Sequence, residues 1–88
     1  MNNDRRKQIN ALVSELQDLA SKLSDIKDQI ESVRDEEQEY YDNMPESFQN
    51  GDKGSVAQDA INNLENAIGD VEAFDIDTVI SYLEDAAQ

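Results

Sequence analysis

Apolar side chains recur from Ile9 to Met44 at positions 9, 12, 16, 19, 23, 26, 30, 33, 40 and 44, in steps that alternate three and four. Written as heptads, Ile9, Leu16, Leu23, Ile30, Glu37 and Met44 occupy position a, and Leu12, Leu19, Ile26, Val33 and Tyr40 occupy position d. Ten of these eleven positions are apolar, and Glu37 alone interrupts them. A pattern this long predicts a coiled-coil helix over about residues 4–43, with the a and d rows as its covered seam. Positions b, c and f are mostly polar (Asn10, Asp18, Asp25, Asp28, Glu31, Asp35, Gln38), as a solvated back face requires. Such a helix is roughly 60 Å long at 1.5 Å per residue, and its seam needs a partner.

Pro45 predicts the helix end, because proline disfavours helical geometry at Met44 and brings no backbone donor. Residues 44–54 hold the only proline and two of the three glycines, and read as a turn. Ser55 stands three residues before Gln58, the spacing of a capping box, which predicts a second helix from Ser55. Ala57, Ala60, Ile61, Leu64, Ala67, Ile68 and Val71 then form a helical stripe. After Phe74 the phase slips, and Ile76, Val79, Ile80 and Leu83 make a second stripe. A bend or a short third helix capped by Asp75 or Asp77 is expected there, within a second arm over about 55–86. Gly69 weakens the helix just before it by ~1 kcal/mol relative to alanine. The expected fold is all-α: one domain, 1–88, forming an antiparallel coiled-coil helical hairpin.

Folding the arms together predicts that Tyr40 meets Ala57 or Gln58, Val33 meets Leu64, Ile30 meets Ile68 and Ile26 meets Val71. It also sets Leu19 on Val79 and Leu16 on Tyr82 and Leu83, and leaves Asn2 to Ala11 overhanging. Val13, Ala20 and Tyr41 on the first arm, with Ala60 and Ala67 on the second, lie beside this seam. Their burial in a four-helix bundle predicts self-association as a homodimer or higher homo-oligomer. A chain of 88 residues has a thin core, burying roughly 60–65% of its unfolded surface, which also favours association.

Charge adds a second layer. The chain carries 21 acidic and 7 basic side chains, a net charge of −14. Residues 1–34 hold six of each sign, so the excess lies wholly in residues 35–88, where Lys53 faces fifteen acids. Nucleic acid and anionic membrane are poor partners for such a chain; a protein with a basic surface is a better one. The first arm also runs against the helix dipole. Arg5, Arg6 and Lys7 open it, and Asp35, Glu36, Glu37, Glu39 and Asp42 close it, a cost of about 0.3–1 kcal/mol for each charge. Pairing across the hairpin with Glu84 and Asp85 would account for the basic trio, whereas the acidic run has no basic partner in view.

With no histidine and no cysteine, the chain lacks the usual neutral-pH acid–base group and the usual metal ligands. Ser14, Ser21, Ser24 and Ser32 face water with no base beside them. No calcium loop or phosphate-cradling glycine loop is present. No catalysis, cofactor or metal is therefore expected. No stretch reaches the ~20 apolar residues of a membrane span, and no apolar core follows the basic start, so a cytoplasmic protein is expected.

The segment DEEQEYYDNMPESFQNGDKGS, residues 35–55, with the acidic helix after it, resembles a group of small acidic proteins of uncertain role encoded mainly by bacteriophages and other mobile elements. The matching residues are Asn43, Met44, Pro45, Glu46, Ser47, Phe48, Gln49, Lys53 and Gly54, within a match over about 33–72. At 74–80 the group's alanine–acid repeat gives way to FDIDTVI. The resemblance implies a phage accessory protein in a bacterial cytoplasm and brings no catalytic residues.

The expected function is non-catalytic protein binding, inhibition of a host or defence protein included. A DNA mimic and a purely structural oligomer are the alternatives. Five acids within Asp35–Asp42 give one charge per ~2.4 Å of helix, against one per ~1.7 Å of duplex DNA. The candidate contact site is the tip: Glu39, Tyr40, Tyr41, Asp42, Met44 and Phe48, bordered by the acidic surface of Asp35, Glu36 and Glu37. Aromatic anchors ringed by charge are the make-up of a binding hot spot. The competing reading is that Tyr40 and Phe48 plug the open end of the hairpin core.

Overall fold

The structure is a computed structural model and describes all residues, Met1–Gln88. Four helices follow one another: α1 (Asn3–Asp42), α2 (Glu46–Gln49), α3 (Asp52–Ala73) and α4 (Ile76–Ala86), with no strands. The fold is the expected all-α helical hairpin, with α1 as one arm and α3 joined to α4 as the other. No helix is long and apolar enough to cross a membrane.

Helix α1 is one unbroken run of 40 residues. Asn2 caps it by accepting a hydrogen bond from the Arg5 amide at 2.9 Å. At the far end Met44 N–H turns back to the Tyr41 carbonyl at 3.1 Å, and Pro45 stops the helix as expected. The expected turn over 44–54 is more ordered than a loop. Residues 46–49 form the single helical turn α2, with Phe48 and Gln49 both donating to the Pro45 carbonyl.

Helix α3 starts at Asp52, three residues before the expected Ser55. Ser55 is therefore inside the helix, its amide donating to the Gly51 carbonyl at 3.1 Å, and the Ser55–Gln58 capping box does not form. The reason lies in Gly54, which is buried in α3 against the backbone of α2. A Cβ there would overlap the Gln49 carbonyl and lie 2.6 Å from its Cα. Glycine at 54 thus lets α2 fold onto the first turn of α3, rather than supplying a turn conformation.

The chain divides into two compact units. The first, Met1–Asp25 with Phe74–Gln88, is centred on Val13, Ile76 and Ile80, against which Ile9, Leu16, Ala20, Leu23 and Leu83 pack. The Arg6 guanidinium donates to the Ala87 carbonyl at 3.2 Å, so the expected overhang of Asn2 to Ala11 does not exist: α4 reaches at least to Arg6 and Ile9. Asp75 caps α4 by accepting from the Thr78 amide at 3.0 Å and from its hydroxyl. The helix break expected between Phe74 and Asp77 falls at Phe74 and Asp75.

The second unit, Ile26–Ala73, buries Ala57, Ile61 and Ile68. Two polar contacts fix its register: Lys27 Nζ to Glu72 at 2.8 Å and Gln58 Nε2 to the Tyr41 hydroxyl at 2.8 Å. Glu31, one turn on from Lys27, lies 3.6 Å from the same ammonium.

One expectation about α1 is overturned. Row a turns inward in both units (Ile9, Leu16 and Leu23; Ile30, Glu37 and Met44), but its companion is row e (Val13, Ala20, Lys27, Arg34 and Tyr41), not row d. Leu12, Leu19, Ile26, Val33 and Tyr40 all face outward, as do Val79 and Tyr82. The contacts expected of Leu19 with Val79, Ile26 with Val71 and Val33 with Leu64 are therefore not the packed seam. Val13 and Ala20, expected to await a second copy, are inside instead. The physical cause is that Lys27 and Arg34 have aliphatic stems long enough to line an interior row while their charged ends reach water.

Candidate functional site

The tip belongs entirely to the second unit and is built where α1, α2 and the start of α3 converge. Tyr41 ties these elements together. Its hydroxyl is bonded to Gln58 of α3, and its carbonyl accepts from Gln49 Nε2 of α2 at 2.9 Å. It is half-buried in the interior row, so it acts as a structural post and not as the free contact expected from its place off the a/d seam.

Tyr40 and Phe48 go the other way. They are 55% and 49% exposed, which removes the reading that they plug the hairpin core. With Asn43, half-buried Met44, Pro45 and Lys53 they line an open hollow of about 310 Å³. The Lys53 ammonium sits over the Phe48 ring, 5.3 Å from its centre, in a cation–π contact. A second hollow of about 260 Å³ adjoins the first, sharing Tyr40 and Lys53 and walled by Glu37, Asp52, Val56 and Ala57.

The acidic residues separate into engaged and free. Arg34 donates to Asp35 from Nε at 3.2 Å and Nη2 at 3.0 Å, so part of the acidic run does have a basic partner. Gln38 Nε2 holds Asp42 at 3.0 Å. Glu36 and Glu39 are exposed, and Glu37 is half-buried in the wall of the second hollow. The basic trio makes no ion pair with Glu84 or Asp85; Arg6 instead bonds the Ala87 carbonyl and Asn3 Oδ1.

Of the nine expected site residues, the first hollow gathers Tyr40, Met44 and Phe48, and the second Tyr40 and Glu37. Lys53 and Val56 line these hollows without having been expected to. The signal for Lys53 was its place as the only cation after Arg34. Val56 was legible only as a large apolar residue just off the second-arm stripe, and it is 69% exposed. Chemically the tip offers aromatic faces, one ammonium and the carboxylates of Glu37 and Asp52. That surface can take an apolar or cationic side chain. No group of three or more acidic residues converges as a metal site.

No family model, curated protein or solved structure shows a significant match to this chain.

Proposed function

We propose that this chain is a non-catalytic protein-binding accessory protein, and that the paired hollows at its tip are the contact surface. The observation that carries this reading is the outward placement of Tyr40 and Phe48 around one hollow, with the carboxylates of Glu37 and Asp52 in the wall of the adjoining one. Half-exposed aromatics beside a recess form the centre of a hot spot, and the surrounding charge selects a partner with a basic surface and speeds its encounter. The phage-group resemblance supports a role in a bacterial cytoplasm, inhibition of a host or defence protein included. Self-association belongs to the same reading, as the state in which the chain presents its tips. The DNA-mimic alternative is weakened by Asp35 and Asp42, whose carboxylates are engaged by Arg34 and Gln38 and not presented freely.

The test is capture from bacterial lysate by the immobilised wild-type chain against Phe48→Ala, Lys53→Glu and Glu39→Lys. These side chains are exposed, so circular dichroism should show unchanged helix content. Loss of the captured protein with Phe48→Ala, and weaker salt sensitivity with Glu39→Lys, are expected. Capture unchanged by all three variants removes the tip as the site.

A further inference from the structure

Asn50 and Gly51 join α2 to α3, and nowhere else in the chain does a glycine follow an asparagine. The pair has a chemistry that the other asparagines lack. The side-chain carbon Cγ of an asparagine lies within reach of the next residue's amide nitrogen, through closure of a five-membered ring. Where that next residue is glycine, no side chain shields the nitrogen. Asn3, Asn10, Asn62, Asn63 and Asn66 lie within helices, and Asn2 and Asn43 are followed by Asn3 and Met44. Asn50 and Gly51 are both exposed, so water reaches them.

The fold holds this pair back. Asn50 has φ −86° and ψ −2°, which turns the Gly51 nitrogen away from the Asn50 side chain. The Gly51 amide donates to the Phe48 carbonyl at 3.2 Å, and the Asn50 amide to the Glu46 carbonyl at 3.1 Å. Both bonds depend on α2, a helix of four residues. A single turn is unstable by itself. Two ties keep it formed: Gly54 lets it lie against α3, and Gln49 Nε2 bonds the Tyr41 carbonyl at 2.9 Å. Local opening of α2 therefore frees the Gly51 nitrogen and the Asn50 backbone together.

We propose that Asn50 is a modification site, which deamidates through a cyclic imide formed with Gly51 at a rate set by the docking of α2. In the opened segment the Gly51 nitrogen gives up its proton to water and attacks Asn50 Cγ. The new C–N bond closes the ring, and the side-chain nitrogen takes up a proton and leaves as ammonia. Water then opens the imide at either carbonyl. One opening gives aspartate; the other gives isoaspartate, in which the backbone runs through the former side chain. No oxidation or reduction occurs: one amide and one water become one acid and one ammonia. The link gains a carboxylate, which makes the chain one unit more negative than its −14. Isoaspartate also adds a backbone atom between α2 and α3, where Gly54 meets Gln49 with no room for a methyl group. That insertion shifts α2, and with it Phe48 in the wall of the first hollow. The chemistry is independent of what the tip binds.

The full chain, folded in neutral buffer, is incubated beside the same chain unfolded in urea, and peptide mapping by mass spectrometry follows every asparagine. Acid should appear first at residue 50, as aspartate and isoaspartate peptides that chromatography separates. The folded chain should convert at least about tenfold more slowly than the unfolded one. Gln49→Ala and Gly54→Ala each remove one tie on α2, and each should raise the folded rate severalfold. Gln49→Ala keeps the glycine contact, so it carries the test if Gly54→Ala does not fold. Gly51→Ala should slow conversion in urea, where only the shielding of the nitrogen matters. Conversion at another asparagine before Asn50 would overturn the site. Equal rates in the folded and unfolded chains, or a folded rate unmoved by Gln49→Ala, would overturn the control by α2.

Discussion

The Tyr41 hydroxyl accepts a hydrogen bond from the Gln58 side chain at 2.8 Å, and this contact sets the register of α3 against α1 at the tip. Tyr41→Phe should lose about 0.5 kcal/mol, the low end for a bond partly open to water. Tyr41→Ala should lose about 2 kcal/mol, since the ring is only half-buried. For a chain this size the second loss lowers the melting temperature by about 10 °C, measurable by circular dichroism. A Tyr41→Ala protein that melts like wild type would show that the ring holds nothing.

Two glycines in the same helix should respond to alanine with opposite signs. At Gly54 a methyl group collides with the backbone of Gln49, so α2 must move away; Gly54→Ala should cost about 2 kcal/mol or more. At Gly69 a methyl group would meet nothing within 4 Å, and Gly69→Ala should gain about 0.5–1 kcal/mol from helix propensity alone. Parallel thermal melts of the two variants check both signs.

The pH scale probes one contact at each end. Hydrogen bonds from the Thr78 hydroxyl and amide hold the Asp75 carboxyl below its ordinary 3.8. Its contribution is complete above the unfolded value and disappears as pH falls through the lowered folded value. Asp75→Asn should keep most of the cap but lose this acid sensitivity, whereas Asp75→Ala should lose both. Lys27 behaves in the opposite sense. The hydrogen bond to Glu72, aided by Glu31, raises its ammonium above the ordinary 10.5. Its contribution is complete below the unfolded value and disappears as pH rises through the folded one. Melts of Lys27→Met should therefore match wild type only under strongly alkaline conditions.

Glu37 is the charged residue in the inward a row, half-buried in the wall of the tip hollow, with no cation within 4.0 Å of its carboxylate. Glu37→Leu should stabilise the hairpin by about 1 kcal/mol through added apolar contact with Val56 and Ala57. A lower melting temperature would reveal a contact that the carboxylate makes and leucine cannot.

The hairpin, its end at Pro45 and the helix break capped by Asp75 were legible in the sequence because apolar periodicity, proline and an N-cap aspartate act locally. The choice of interior row was not. Rows d and e both continue the heptad, and a scale of hydrophobicity favours Leu12, Leu19, Ile26 and Val33 over Lys27 and Arg34. What reverses the choice is long-range: Glu72 waits for Lys27 on the other arm, and alkyl stems can fill a seam without their charges. The tip divided in the same way. Tyr40 and Tyr41 are chain neighbours with similar surroundings in sequence, yet Gln49 and Gln58, eight and seventeen residues downstream of Tyr41, decide which ring turns inward. The role of Gly54 was illegible for the same reason, since its crowding comes from a helix that the turn residues did not announce.

The inward and outward rows of α1 share a backbone but not a task, and this separates two kinds of inheritance. Substitutions along Leu12, Leu19, Ile26 and Val33 can accumulate without disturbing Ile9, Val13, Leu16 or Leu23, which hold the first unit together. A duplicated copy of this gene could therefore diverge along its outer row and still produce a folded hairpin. The surface would change first, with the scaffold unaltered beneath it.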